Sequence, residues 1–255
     1  MKFLVVVQAR RQASRQAAFI KNSIAMQKLA IAIQWDLLRQ FRYNIIYAAI
    51  LVTIIYILVL LNLPENPYRE KILVFLIFND PAALGMLFAG SLFLFERSEN
   101  TLQALWVTPL PHRYYVASKT LTLTLVAVLS SLAMALAGHG WAFQYFYFIA
   151  GIGLTASLYT LLGIAAVASC RNFNQYLLRV AGILLPTSLP FLNFFGITDT
   201  LWWYLLPSQG GLLLLEAAFL PVDGWRIAYS LLYLGLWNAG AFWLSVYILK
   251  ERAKF

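Results

Sequence analysis

The chain has 255 residues, 62% of them hydrophobic and 11% charged, where an ordinary soluble domain carries about 25% charge. That balance excludes a water-soluble globule, which needs polar surface to cover its core, and excludes disorder, which needs low hydrophobicity. The net charge of +9 takes its meaning from where the basic residues fall along an integral membrane chain.

The start, Met1-Lys2, is followed by five strongly apolar residues, Phe3 to Val7, and then by Gln8, Arg10, Arg11 and Arg15. A secretory signal needs about 7–15 apolar residues, so residues 1–43 read as a retained cytosolic and interfacial segment. Within it, Lys21, Lys28 and Arg39 return to one helical face at spacings of seven and eleven. Ile24, Leu29, Ile33, Trp35, Leu38 and Phe41 add apolar surface. The pattern suits an interfacial helix lying on membrane lipid; a plain positive anchor is the simpler alternative.

A crossing helix needs about 20 apolar residues. Residues 45–63 make span 1. Residues 71–95 make span 2, with one acid inside it, in Asn79-Asp80-Pro81. An intramembrane acid is a substrate or proton site by default; Asp followed by Pro is also an ordinary helix start, with Asp80 capping. After span 2, Asn100 can cap a short helix with Gln103 reaching back. Leu102, Leu105 and Trp106 then share one face before Thr108-Pro109 ends it. A capped amphipathic turn there suits docking of a soluble partner, or is a tidy surface loop. Residues 120–170 are uncharged and too long for one crossing. Gly138-His139-Gly140 divides them into spans of about 117–137 and 141–168. Span 5, about 178–198, holds Pro186 and Pro190. Residues 201–220 are apolar but broken at Pro207-Ser208-Gln209-Gly210-Gly211, which reads as a re-entrant hairpin or lid. Ser208 and Gln209 at its tip are placed to satisfy backbone groups. Span 6 covers about 227–249.

Six spans put alternate loops on one side. Lys2, Arg10, Arg11, Arg15, Lys21, Lys28, Arg39 and Arg42 precede span 1. Arg97, Arg113 and Lys119 follow span 2, Arg171 and Arg179 follow span 4, and Lys250, Arg252 and Lys254 close the chain. Sixteen of the 19 basic residues thus share one face, with only Arg69, Lys71 and Arg226 opposite. The positive-inside rule puts both termini in the cytoplasm. Short basic loops of this kind imply no nucleic-acid partner.

One cysteine, Cys170, and two histidines, His112 and His139, offer no disulfide framework and little for a metal site, so none is expected. The sequence has no nucleotide-binding P-loop and no clustered catalytic constellation, so no catalytic residue is assigned.

The stretch Glu96-Arg97-Ser98-Glu99-Asn100-Thr101-Leu102-Gln103-Ala104-Leu105, then Thr108-Pro109-Leu110, Tyr115 and Lys119, resembles ABC-2 type transporter permeases, with Asn100 where that family usually has Gly. Asn tolerates unusual backbone geometry better than most residues. Trp35-Asp36-Leu37, Arg42-Tyr43, Asp80-Pro81 and Leu206-Pro207 are similar to a narrower branch of fluoroquinolone-type drug exporters. The resemblance implies an all-α membrane fold of six helices in a prokaryotic inner membrane. It implies a coupling helix, carrying Glu96, Glu99, Asn100, Thr101, Leu102, Leu105 and Trp106, that docks on a separate ABC ATPase subunit in two copies. A second permease chain, the same or homologous, completes the transporter, and ATP and magnesium belong to the ATPase partner. The expected cargo is an amphipathic small molecule. The alternatives are a proton-coupled carrier using Asp80 and a non-transporting assembly subunit.

Overall fold

The computed structural model describes residues 26–64, 68–107, 111–198 and 200–252. These residues are helical with no strand among them, as an apolar chain in lipid requires, because a helix satisfies its own backbone. Lys21 lies outside the described residues.

Helix α1, Met26–Arg42, meets α2, Ile45–Leu61, at a 66° bend. The bend falls at Asn44, whose backbone is left-handed at φ 59°, a conformation Asn tolerates. The faces of α1 run opposite to those of a soluble helix. Asp36 and Gln40 are buried, while Ile31, Trp35, Leu38 and Phe41 are exposed. Outward apolar and inward polar faces fit a helix that meets lipid on one side and a polar protein site on the other. Helix α2 carries no charge but has only 17 residues. Among the described residues five helices are long and apolar enough to cross, and a sixth crossing requires the bent α1–α2 pair to count as one.

Helix α3, Arg69–Ser98, is continuous through Asp80 and Pro81. The helix start expected at Asp80 does not occur. Leu73, Val74, Ile77 and Phe78, one to two turns earlier, are all buried, and their packing carries the helix through the proline. Six-residue α4, Thr101–Trp106, follows. Helix α5, His112–His139, begins earlier than the charge pattern predicts, because the Lys119 charge is neutralised inside the protein. It ends where Gly140 adopts φ 83°, at the break read from the sequence.

Helix α6, Tyr145–Val167, is central and packs on α3, α5, α9 and α10. At its crossing with α3, a Cβ added to Gly163 would lie 2.8 Å from the Met86 carbonyl oxygen and 3.1 Å from its Cα. Small residues permit such close backbone approach. Gly163→Ala is expected to destabilise the fold by about 1–3 kcal/mol, the cost of overpacking a rigid contact; an unchanged melting temperature in detergent would contradict this crossing.

Helix α7, Phe173–Ser188, and short α8, Phe191–Phe194, form a 22-residue crossing that starts and ends earlier than predicted. Asn172 caps α7, accepting from the Gln175 amide at 2.9 Å. Arg179 reaches back to the Ala166 carbonyl at 3.1 Å and to the Ser169 hydroxyl, so its charge does not delay the helix. A 3-10 turn, Leu201–Leu205, and α9, Pro207–Phe219, form the hairpin. Almost every residue of α9 is buried. Its tip is satisfied differently from the expectation. Tyr229 and Tyr233 of α10, Gly224–Arg252, donate their hydroxyls to the Tyr204 and Leu205 carbonyls. The Gln209 Oε1 atom, expected to do this, has no partner, and Ser208 lies beside the buried Tyr159 hydroxyl instead. Pro207 opens α9, and Ser208 and Gln209 after it are buried in the bundle. Outward residues of α7 and α10, such as Leu178, Leu185, Leu232 and Leu236, are exposed, as a lipid-facing or chain-facing surface should be.

Candidate functional site

The chemistry concentrates at the basic end of the bundle, where α3 ends, α5 begins and α1 crosses them. Lys119 of α5 is fully buried, 0% exposed. An isolated ammonium at that depth would be prohibitive. Its Nζ lies 2.6 Å from Glu96 Oε1 of α3 and 3.1 Å from Asp36 Oδ1 of α1. Arg39 of α1 bridges the same two acids, 2.8 Å from Glu96 Oε1 and 3.3 Å from Asp36 Oδ1. The four charges cancel. The remaining oxygens are also held: Tyr115 donates to Glu96 Oε2 at 2.6 Å and Ser118 donates to Asp36 Oδ2. One helical turn further, Gln40 of α1 donates to Thr122 of α5 at 2.7 Å. Buried charges persist when every partner is supplied, and here they come from three separate helices.

Helix α4 hangs from this cluster. Thr101 Oγ1 donates to the Glu96 carbonyl at 2.9 Å, so the same residue holds the ion cluster by its side chain and α4 by its backbone. Asn100 stands before α4 with φ 58° and makes no side-chain cap. The expected capping box is therefore absent, and Asn100 instead supplies a left-handed turn, a conformation glycine also adopts readily. Six residues cannot hold a helix alone. Leu102, 3% exposed, anchors it inward, with Leu105 half-buried behind. Of the face predicted to meet a partner, Leu102 thus points into the protein and Leu105 partly so, because the bundle end offers them a place to pack. Glu96 is likewise internal. Glu99, Asn100, Gln103 and Ala104 point outward, and Val107 is 87% exposed. Trp106 closes α4.

Glu99 is tied to the bend between α1 and α2. The Tyr43 hydroxyl donates to its Oε2 at 2.6 Å, and the Tyr43 ring lies 5.2 Å from that of Phe95. Burial first, and then the Glu99 carboxylate, push the Tyr43 hydroxyl up to about 12. The bond therefore stands fully below about pH 10 and is lost as pH rises through about 12. Arg97 donates to the Cys170 carbonyl at 2.8 Å, joining the α6–α7 turn to the same end.

Of the residues singled out in the sequence, Glu96 and Arg39 meet directly, Glu99 and Thr101 are one link away, and Trp35 lies on the outer face of α1. Lys28 lies near the start of α1. Asp36 and Lys119 complete the cluster. The signal available for them was an acid and a base inside otherwise apolar helical segments. Asp80 is elsewhere, in mid-helix, 1% exposed, with neither carboxylate oxygen partnered. Helices α3 and α5 are antiparallel, with Leu73 against Gly138 and Glu96 against Lys119. That register puts Ser131 of α5, whose hydroxyl is also buried and unpartnered, at the level of Asp80.

A family profile described as the fluoroquinolones export permease protein family matches residues 27–252, the whole stretch that builds the cluster and the bundle. The chain belongs to that family. Two curated relatives, from two strains of Mycobacterium tuberculosis, are each named a fluoroquinolones export permease protein. Each is 29% identical over 213 residues, covering 82% of this chain and 89% of the relative. The family and the apolar helices together make this a multi-pass membrane protein of an export-permease family.

Proposed function

We propose that this chain is the transmembrane subunit of an ATP-binding cassette exporter that moves an amphipathic small molecule, a fluoroquinolone-like drug among them, out of the cell. Separate ATPase subunits, in two copies, dock at the basic end and bind the ATP and magnesium. A second permease chain and the surrounding lipid complete the path. Both termini face the cytoplasm.

The observation that carries this reading is the Asp36–Lys119–Glu96–Arg39 cluster. Glu96 ends in α4 on one side and in the cluster on the other, so a push on α4 reaches α1, α3 and α5 together. Outward residues from Glu99 to Val107 form the docking surface, and Leu102 and Leu105 form its anchor. ATP bound in the partner supplies the differential free energy between inward- and outward-open states, since this chain has no P-loop. Apolar and aromatic helices with few fixed charges suit an amphipathic cargo.

Purification from the native membrane in mild detergent is expected to bring a P-loop ATPase with the chain. Its ATP turnover in reconstituted vesicles is expected to rise when a fluoroquinolone is added. An intact permease with no ATPase attached would sink the reading. An ATPase that co-purifies but ignores every cargo would favour an assembly subunit instead.

One observation favours a second reading. Asp80 is buried without a partner in mid-helix, and such acids serve proton movement. The ATP-driven reading expects Asp80→Asn to keep ATP-dependent export. Loss of export in that variant, with wild-type vesicles transporting on a proton gradient alone, would replace the ATPase reading with a proton-coupled carrier.

A further inference from the structure

At the end of the bundle opposite the ion cluster, a cavity of about 190 Å³ opens between α3, α8, the 3-10 turn, α9 and α10. It is smaller than the roughly 300–1,000 Å³ that holds a whole drug-sized ligand, so it takes the polar end of a molecule and not its whole body. Its lining is unusual for this end of the chain. Lys71 from α3 and Arg226 from α10, two of the three basic residues that the charge pattern assigns to this side, both face it, together with Glu216 of α9. Both cations act electrostatically on the Glu216 carboxylate. Gln209, 4% exposed, also lines it, and its Oε1 atom is buried with no hydrogen-bond partner.

The fold uses the two cations only in part, each also lying 5.7 Å from a neighbouring ring, Lys71 over Phe194 and Arg226 over Trp225. Lys71 donates one bond, 3.2 Å to the Phe194 carbonyl, out of three it can make. Arg226 meets Asp223 only through Nε at 3.4 Å, with both side chains well exposed, a pairing that contributes little. A larger cavity nearby, about 620 Å³ between the α5–α6 and α9–α10 turns, has no charged side chain in its lining. The smaller cavity is therefore where this end of the protein concentrates charge.

From this arrangement we infer that the cavity is a binding site for a zwitterionic polar group, a phosphate or carboxylate and a protonated N–H amine carried on one apolar body. Lys71 and Arg226 take the anion. Glu216 and the Gln209 carbonyl take the ammonium, which gives the orphaned Oε1 its donor. The apolar body leaves towards exposed Phe195, just after α8, and Leu205 of the 3-10 turn. Two molecules share this chemistry: an aminophospholipid from the bilayer and a zwitterionic amphiphile in transit. The site requires no ATPase, so it stands or falls separately from the coupling mechanism.

The full-length chain is tested in nanodiscs of phosphatidylcholine containing a small fraction of phosphatidylethanolamine, with retained lipid read by native mass spectrometry. Phosphatidylcholine is the control, because its quaternary ammonium cannot donate to Gln209. In parallel, a zwitterionic fluoroquinolone is titrated in phosphatidylcholine alone and followed by tryptophan fluorescence. Gln209→Leu and Glu216→Gln are each expected to weaken the bound probe about tenfold or more, the scale of a charge-assisted hydrogen bond. Arg226→Gln, at a partly exposed position near the start of α10, is expected to do the same with an unchanged melting temperature. Selective retention of phosphatidylethanolamine that these variants abolish assigns a lipid site. Fluoroquinolone binding with the same sensitivity, and no lipid selectivity, assigns a site for cargo. Absence of both, or binding that Arg226→Gln leaves unchanged, overturns the inference.

Discussion

Lys119→Met is expected to destabilise the protein by about 3–5 kcal/mol, the cost of stripping one partner from a buried ion group. Methionine matches the volume and apolar stem of lysine, so the loss is electrostatic. What remains is two carboxylates, Asp36 and Glu96, facing the single guanidinium of Arg39. The decisive measurement is a double-mutant cycle. Asp36→Asn alone leaves an excess positive charge and is also expected to destabilise. Combined with Lys119→Met, it leaves a neutral Arg39–Glu96 pair, 2.8 Å apart. The double variant should therefore melt well above the additive expectation, and about 1 kcal/mol or more of coupling should remain in the cycle. Strict additivity would mean that the four charges do not act as one unit. Arg39, 21% exposed, keeps some water, so its removal should cost less than that of Lys119.

Val107→Glu is expected to act in the opposite manner, abolishing function while leaving the fold intact. Val107 is 87% exposed immediately after α4, so a charge there meets water in the isolated chain and costs little. At a protein interface, the same charge would be desolvated without a partner, and losses of about 2–4 kcal/mol are usual at such central positions. ATPase co-purification and cargo-stimulated turnover should both disappear, with an unchanged melting temperature. Leu102→Glu provides the contrast. Leu102 is 3% exposed, so a carboxylate there must either be buried or pull α4 away from the bundle. That variant should lose melting temperature as well as turnover. If Val107→Glu keeps its ATPase and Leu102→Glu loses it without destabilisation, the outward and inward faces of α4 have been assigned the wrong way round.

Both predictions depend on placements that a linear reading reaches only in part. Composition alone determined the class, because 62% hydrophobic residues cannot be covered by water-facing side chains. Uncharged runs gave the helices, because each crossing must satisfy its own backbone. Gly140 and the Pro207 region marked real breaks, because positive φ and a missing N–H are local properties. The short helix after Asn100 was legible as well, although the capping box that suggested it is absent and a left-handed turn stands in its place.

The tertiary structure decided what those local signals leave open. Asp80-Pro81 has the form of a helix start, yet burial of the preceding turns keeps α3 continuous. Leu102 and Leu105 have the form of a docking face, yet the bundle end buries Leu102, half-buries Leu105 and leaves Val107 outward. Ser208 and Gln209 have the form of backbone caps, yet two tyrosines from α10 take that role. Asp36, Glu96 and Lys119 lie 60 and 23 positions apart in the sequence, and nothing in their spacing pairs them. The α1–α2 bend and the antiparallel register of α3 and α5 bring them within hydrogen-bond distance. Apolar patterning is a property of each segment and can be read segment by segment, whereas charge pairing in a low-dielectric interior is a property of which segments meet.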